Sequence, residues 1–233
     1  MNSILQNLHQ KIYRLETIVT EQKNEFYSTE KRYARQVEVC YLGKEKEEHQ
    51  FQILVVDFDF SDKDDAMGQF FKKVSYLFDE IECRVDEEGN ITAVDNLFFL
   101  QMRWVKIQTE LSQTHKGEAV DSYFSRVSHL LENENELIEF LGSYHMFGLL
   151  FNGLLQSFDS KRKRISSEGY TEIMTPVMDG EKMMLTISSE NLEKTETSYF
   201  RGLFVFKGDL YEEGFTEVKK HNAHLKHSLL WIG

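Results

Sequence analysis

The stretch SYFRGLFVFKGDLYEEGFTEVKK, residues 198–220, contains two apolar runs separated by the turn residues KGD. Runs of Phe, Val and Tyr between glycine-containing turns are typical of antiparallel strands. The pattern extends through the C-terminal third of the chain, where MDGE, KGD and EEG are spaced like the turns of a meander. We therefore predict an antiparallel β meander from Tyr170 onward.

Two further hairpins are predicted in the first half of the chain. RQVEVCYL, residues 35–42, places Val37, Val39 and Tyr41 on one face, and GKEKEE turns the chain into HQFQILVVDFDF, residues 49–60. IECRVDEEGNITAVDN, residues 81–96, contains the second hairpin, with Gly89 in its turn. Antiparallel strands are therefore expected at both ends of the chain.

Residues 3–24 predict an N-terminal helix. Their apolar residues follow one another at spacings of three and four, as on one face of a helix: Leu5, Leu8, Ile12, Leu15 and Val19. Docking of this helix on its own domain is the main interpretation, and oligomerisation through residues 3–24 is the alternative. A strand near residues 13–20 also stays open, because residues 18–20 are β-branched.

The middle of the chain is predicted to be helical. One helix follows Ser61, which forms a capping-box arrangement with Asp64, and others cover residues 97–113, 119–132 and 135–158. For the last of these, a break near Gly142 or Gly148 is the alternative, because glycine weakens a helix interior. The fold class predicted is α+β, with antiparallel strands at both ends of the chain around a central group of about four helices, plus the N-terminal helix. We expect a single domain, residues 1–233. The alternative is a helix-rich part, residues 1–160, followed by a separate meander, residues 170–233.

One segment raises the question of a membrane. Residues 140–158, FLGSYHMFGLLFNGLLQSF, contain no Asp, Glu, Lys or Arg, and KRKR follows at 161–164. A helix of this length would span about 28 Å, close to the thickness of a bilayer core. The polar residues within it, such as His145 and Asn152, favour a buried central helix, and a membrane segment is the alternative.

Composition predicts a cytoplasmic protein. The net charge of −12 disfavours nucleic acid as a partner, because the phosphate backbone repels an acidic surface. Cys40 and Cys83 are the only cysteines and have no metal-type spacing, so both are expected to be reduced. The segment MNSILQNLHQKIYRLE lacks a basic leader, and we expect no signal peptide.

Asp57 and Asp59 are the candidate catalytic residues. ILVVDFDFSD resembles the first motif of haloacid-dehalogenase-like phosphatases, which implies a nucleophile at Asp57 and an acid at Asp59. That family also needs a later acidic pair and parallel strands, and the sequence shows neither. The favoured interpretation is a strand end with both carboxylates in water, and metal-dependent phosphoryl or glycosyl transfer is the alternative.

His221, His224 and His227 are the candidate metal ligands. Their HxxHxxH spacing would bring neighbouring imidazoles together on a helix. On a strand, His224 faces away from the other two. The meander context favours a strand with three exposed histidines, so we expect no metal and no other cofactor.

The segment DEEGNITAVDN followed by LFFLQMRWVKIQTEL, residues 86–111, is similar to uncharacterised bacterial proteins encoded beside type VI (contractile) secretion spikes. The resemblance implies no functional residues. Because common catalytic motifs are absent, we predict a non-enzymatic protein-binding protein. An adaptor, a chaperone or an immunity protein for a secreted effector fits, and its partner is expected to be basic.

Overall fold

The computed structural model describes residues 10–24, 27–61, 66–155, 161–166 and 169–233. Its strands are β1 Lys11–Asn24, β2 Tyr27–Glu45, β3 Glu48–Phe60, β4 Glu80–Val85, β5 Ile91–Val94, β6 Arg162–Ile165, β7 Thr171–Asp179, β8 Lys182–Glu190, β9 Thr197–Lys207, β10 Leu210–Lys220 and β11 Ala223–Trp231. Its α-helices are α1 Ala66–Ser75, α2 Leu97–Thr114, α3 Glu118–Glu132, α4 Glu134–Gly142 and α5 Gly148–Leu154. Two 3₁₀ turns cover Tyr76–Phe78 and Leu192–Lys194.

All eleven strands belong to one antiparallel sheet in the order β5-β4-β3-β2-β1-β11-β10-β9-β8-β7-β6. The chain therefore forms two meanders, β1–β5 and β6–β11, which join where β1 pairs with β11. The predicted α+β arrangement around a helical core is wrong, since the fold is mostly sheet, with 52% strand and 30% helix. The error arose because local patterns show strands and helices but not that distant strands share hydrogen bonds. The division into domains stays a prediction.

The predicted N-terminal helix is also wrong over the described residues, because residues 11–24 form β1 in the middle of the sheet. Alternate residues Tyr13, Leu15 and Thr17 are buried, as expected for a strand and not for a helix. Both edges of β1 are hydrogen-bonded within the chain, to β2 and β11. This part of the segment therefore offers no heptad surface for oligomerisation, and residues 1–9 lie outside the described residues.

A β-bulge in β3 determines which residues face the core. The register steps from Val37 opposite Val55 to Gln36 opposite Asp57, so Val56 is the extra residue. Ile53 is buried before the bulge and Phe60 after it, although the two positions differ in parity. The bulge thus keeps apolar side chains on the inner face through the whole strand.

The helices cover the inner face of the sheet. α5 packs against β10 and β11, α4 against β5, and α1 against β3. The Tyr211 hydroxyl of β10 donates to the Leu149 carbonyl of α5 at 3.0 Å. A Cβ at Gly153 would lie 2.2 Å from the Tyr211 ring, so this glycine permits the close approach of helix and sheet.

The apolar segment 140–158 is not one helix. α4 ends at Gly142, the chain turns, and α5 begins at Gly148; residues 156–160 lie outside the described residues. A Cβ at Gly148 would lie 2.3 Å from the Gly142 carbonyl oxygen, which explains glycine at this corner. None of the helices in the described ranges combines the length and apolar character needed to cross a membrane.

The predicted capping box at the start of α1 falls largely on residues 62–65, which lie outside the described residues. Ser61 itself follows directly after β3, and its backbone N–H donates to the Arg32 carbonyl at 3.0 Å. Its Oγ accepts from the Arg32 N–H at 3.3 Å. Ser61 therefore closes the β2–β3 ladder.

Candidate functional site: an arginine in an apolar cavity

The two candidate catalytic aspartates lie on the outer face of the sheet. Asp57 and Asp59 are exposed, and they alternate with Phe58 and Phe60, which line an inner cavity. Within the described ranges, no three His, Cys, Asp or Glu side chains are grouped as metal ligands. A metal-dependent site at Asp57 and Asp59 receives no geometric support from these residues.

The three histidines of the HxxHxxH segment occupy separate surroundings. His221 lies in the bend between β10 and β11, and His224 pairs with Glu217 at 2.6 Å. His227 is buried on the inner face, and its Nδ1 lies 3.0 Å from Thr17 Oγ1. The prediction of three exposed histidines is therefore wrong for His227. The strand β11 lies inside the sheet, and helix α5 packs against the inner face on which His227 lies.

An apolar cavity of about 370 Å³ lies between the sheet and the helices. Its volume falls within the range of about 300–1,000 Å³ that is common for small-molecule sites. Most of its lining is aliphatic or aromatic: Leu15, Val19, Tyr33, Val55, Phe58, Phe60, Phe71, Val74, Phe78, Tyr123, Phe140, Met146 and Leu225. The polar members of the lining are Thr17, Arg35, Ser75 and His145. The cavity therefore combines an apolar body with a small number of polar groups.

Arg35 is the unusual member of this lining. Its side chain points inward from β2, opposite Leu15 of β1 and Phe58 of β3. One guanidinium nitrogen donates to Met146 Sδ at 3.1 Å, and the group lies 5.8 Å from the Phe58 ring and 5.9 Å from the Phe147 ring. Among the described residues, no carboxylate forms an ion pair with Arg35.

Within the described ranges of the chain, this arginine lacks a charge partner. A thioether is a weak acceptor, and a guanidinium has five N–H donors. Burial lowers the pKa of Arg35 to about 10, which still leaves it charged at neutral pH. Buried charges in proteins are normally paired, so an unpaired arginine facing a cavity indicates a site for an anion.

The sequence did contain a signal for Arg35. Val37, Val39 and Tyr41 were predicted to share one face of β2, and two residues before Val37 the same face carries Arg35. An arginine among the inward-facing residues of a central strand departs from the usual alternation of buried apolar and exposed polar side chains. The predicted strand began at Arg35, but the inward direction of this side chain was not recognised, because nothing local shows that helices cover this end of the strand.

His145 borders this cavity and a second one. It is in the lining of both, and its Nδ1 lies 2.9 Å from Ser143 Oγ. Burial, together with the charge of Arg35, lowers the pKa of His145 to about 4. The pKa of His227 is likewise lowered to about 4, by burial and then by His145. Both imidazoles are therefore neutral at neutral pH.

The second cavity, of about 470 Å³, contains a charged group that is already paired. Arg164 of β6 binds Glu172 of β7 at 2.5 Å, and it also contacts Asn152 of α5 and the Tyr144 hydroxyl. The Tyr144 hydroxyl donates to Glu172 at 3.0 Å. Because its ions satisfy one another, this cluster fastens β6 and β7 to the helices, and neither Arg164 nor Glu172 is left without a charge partner.

A row of exposed apolar side chains lies on α2. Phe98, Phe99, Met102 and Val105 are 66%, 63%, 54% and 62% exposed, while Leu100 and Trp104 of the same helix are buried. Positions 98, 102 and 105 follow helical spacing, so they form one stripe. Contiguous exposed apolar surface is a recognised feature of interaction sites.

Comparison with known proteins gives no family for the chain. No protein-family model matches it, and no curated protein sequence matches it. A structure from a study of lipid–protein interactions in lipovitellin has 9% identity and a TM-score of 0.48 over 97% of this chain. The chain spans 25% of that longer lipovitellin chain. The Rv2717c protein of M. tuberculosis has 7% identity and a TM-score of 0.29, with coverage of 99% of this chain and 98% of its own. Neither likeness is strong enough to support a functional argument.

Proposed function

We propose that this protein binds a small molecule with an apolar body and an anionic group in the cavity around Arg35. The observation that supports the proposal is the unpaired guanidinium facing an apolar lining. An anionic group on a ligand would supply the charge partner that the described residues do not, and the lining would bury its apolar part. This is a binding function without catalysis.

Isothermal titration calorimetry with three ligands of equal chain length tests the proposal. Decanoate, decanol and decyltrimethylammonium carry an anionic, a neutral and a cationic headgroup, respectively. We expect decanoate to bind at least about tenfold more tightly than decanol, which corresponds to about 1.4 kcal/mol. The cationic ligand should bind most weakly, because it brings a second positive charge beside the guanidinium.

The Arg35→Met variant should lose the preference for decanoate over decanol. Arg32→Met is the matched control, since Arg32 lies on the same strand but is exposed and pairs with Glu16 at 2.6 Å. The control should keep the affinity of the unmodified protein for decanoate. If decanoate does not bind, or if both variants bind it equally well, the proposal is wrong.

A second candidate function is the binding of a protein partner through α2. It is favoured by the exposed stripe of Phe98, Met102 and Val105, and the net charge of −12 favours a basic partner. An adaptor, chaperone or immunity protein for a secreted effector fits this function. We also propose a cytoplasmic location, since Cys40 and Cys83 are both free thiols.

The α2 function is tested with a Phe98→Ser/Met102→Ser double variant. A partner recovered from the native host is first purified and reconstituted with the unmodified protein. Its affinity should fall at least tenfold with the double variant, while the urea unfolding curve of the variant stays unchanged. A reconstituted complex that tolerates both changes would exclude α2 as the binding surface.

A further inference from the structure

We infer that the Arg35 cavity selects a ligand with one negative charge, which assigns it to the apolar monocarboxylic acids. This inference rests on the proposed function and adds the chemical class of the ligand. Three features of the cavity lead to it: the charges in its lining, the geometry of the guanidinium and the state of the neighbouring imidazoles.

The described part of the lining contains a single charged side chain. Of the described residues that border the cavity, Arg35 alone is charged at neutral pH, and none is Asp, Glu or Lys. A ligand with one negative charge would therefore bring the net charge of the ligand and these lining residues to zero. A second negative charge would have no partner in an apolar environment, where isolated charges are strongly disfavoured.

The guanidinium geometry favours a planar anion. A carboxylate accepts two parallel N–H···O hydrogen bonds from the fork of an arginine, and this bidentate pair is among the stronger hydrogen-bonded contacts in proteins. The present acceptor, Met146 Sδ, takes one donor at 3.1 Å. A carboxylate would replace this weak acceptor with a charged one and use at least two donors.

The imidazoles do not add positive charge at neutral pH. His145, which borders the cavity, is neutral, and so is His227 behind it. The other charged or titratable groups around His145 come from the second cavity: Glu139, Tyr144, Tyr170, Arg164, Glu172 and Lys220. Arg164 is neutralised by Glu172, and neither Arg164 nor Lys220 borders the Arg35 cavity, so neither provides a second cation there for a dianionic ligand.

Titration with decanoate, decyl phosphate and decyl sulfate, each below its micelle concentration, separates charge from headgroup shape. An alkyl phosphate carries about two charges at pH 8 and close to one at pH 5.5, because its second pKa is about 6. Decyl sulfate has a similar tetrahedral headgroup but one charge at both pH values. Circular dichroism at pH 5.5 verifies that the protein remains folded.

We expect decanoate to bind at least about tenfold more tightly than decyl phosphate at pH 8. The affinity for decyl phosphate should rise several-fold at pH 5.5, and decyl sulfate should bind more tightly than decyl phosphate at pH 8. Equal affinity for decanoate and decyl phosphate at pH 8 would overturn the inference while leaving the proposed anion-binding function intact. Loss of all preference for anions over decanol would overturn the proposed function itself.

Discussion

Replacing Arg35 by methionine should stabilise the protein, and the size of the effect can be worked out from the structure. Burial lowers the pKa of Arg35 from the ordinary arginine value of about 12.5 to about 10. Each pKa unit corresponds to about 1.4 kcal/mol, so the buried charge destabilises the folded state by about 3 kcal/mol. Methionine removes that charge and keeps an apolar side chain of comparable length.

Part of this gain is offset by lost contacts. Arg35 stacks on Phe58 and Phe147, and each such contact contributes about 0.5–1 kcal/mol. The net expectation for Arg35→Met is therefore an increase of about 1–2 kcal/mol in the free energy of unfolding. For a chain of this size the midpoint of thermal unfolding should rise by about 2–8 °C.

Urea and thermal unfolding followed by circular dichroism measure this effect, with Arg32→Met as the control. The control should change stability by less than about 1 kcal/mol, because an exposed ion pair contributes little. A loss of 2 kcal/mol or more in Arg35→Met would refute the reasoning, since it would mean that the guanidinium has a stabilising partner within the fold. A stabilised variant that no longer binds decanoate would identify Arg35 as a residue whose presence favours binding at the expense of stability.

Three further predictions concern the fold around the site. Gly153→Ala should lower the free energy of unfolding by about 1–3 kcal/mol because its Cβ would collide with Tyr211, whereas Gly142→Ala, with open space at its Cβ, should be neutral or stabilising in the same urea titration. His227 stays neutral in the fold down to about pH 4 but is protonated below about pH 6.5 when unfolded. This ring alone should therefore lower the free energy of unfolding by about 2 kcal/mol between pH 7 and pH 5, and His145, whose pKa is also lowered to about 4, adds a further decrease. His227→Asn should remove about 2 kcal/mol of the total decrease, and an unchanged slope would contradict the pKa of the buried ring. Glu172→Gln should lower the free energy of unfolding by about 3 kcal/mol, as urea denaturation would measure, because it leaves Arg164 without its charge partner; a loss below 1 kcal/mol would show that this pair is not structurally important.

Local sequence patterns were sufficient to predict several of the strands, turns and helices. The predicted turn in MDGE separates β7 from β8, and the predicted turn in KGD separates β9 from β10. EEG lies within β10, so the prediction of a turn there is wrong. The strand β3 and the helices α2 and α3 were also predicted close to their bounds, whereas β2 begins at Tyr27, eight residues before the predicted strand 35–42. These features depend on residues that are near one another in the chain, such as the apolar stripe Leu100, Trp104 and Leu111.

The same patterns failed where two structures were compatible with one spacing. Residues 11–24 have apolar side chains at helical spacings, yet Tyr13, Leu15 and Thr17 are the buried set. What decided the outcome was the pairing of this segment with β11 at the far end of the chain. No local preference for helix competes with hydrogen bonds and side-chain burial along both edges of a central strand.

The sequence by itself determined the turns, the alternating faces of the hairpins, the amphipathic helices and the outward direction of Asp57 and Asp59. Only the tertiary structure decided that both ends of the chain form one sheet and that helices cover its inner face. That arrangement places Arg35 of β2 around one cavity with His145 and Met146, which precede α5 and are distant from Arg35 in sequence. The physical reason is that charge compensation depends on distances in space, and spacing along the chain does not record them.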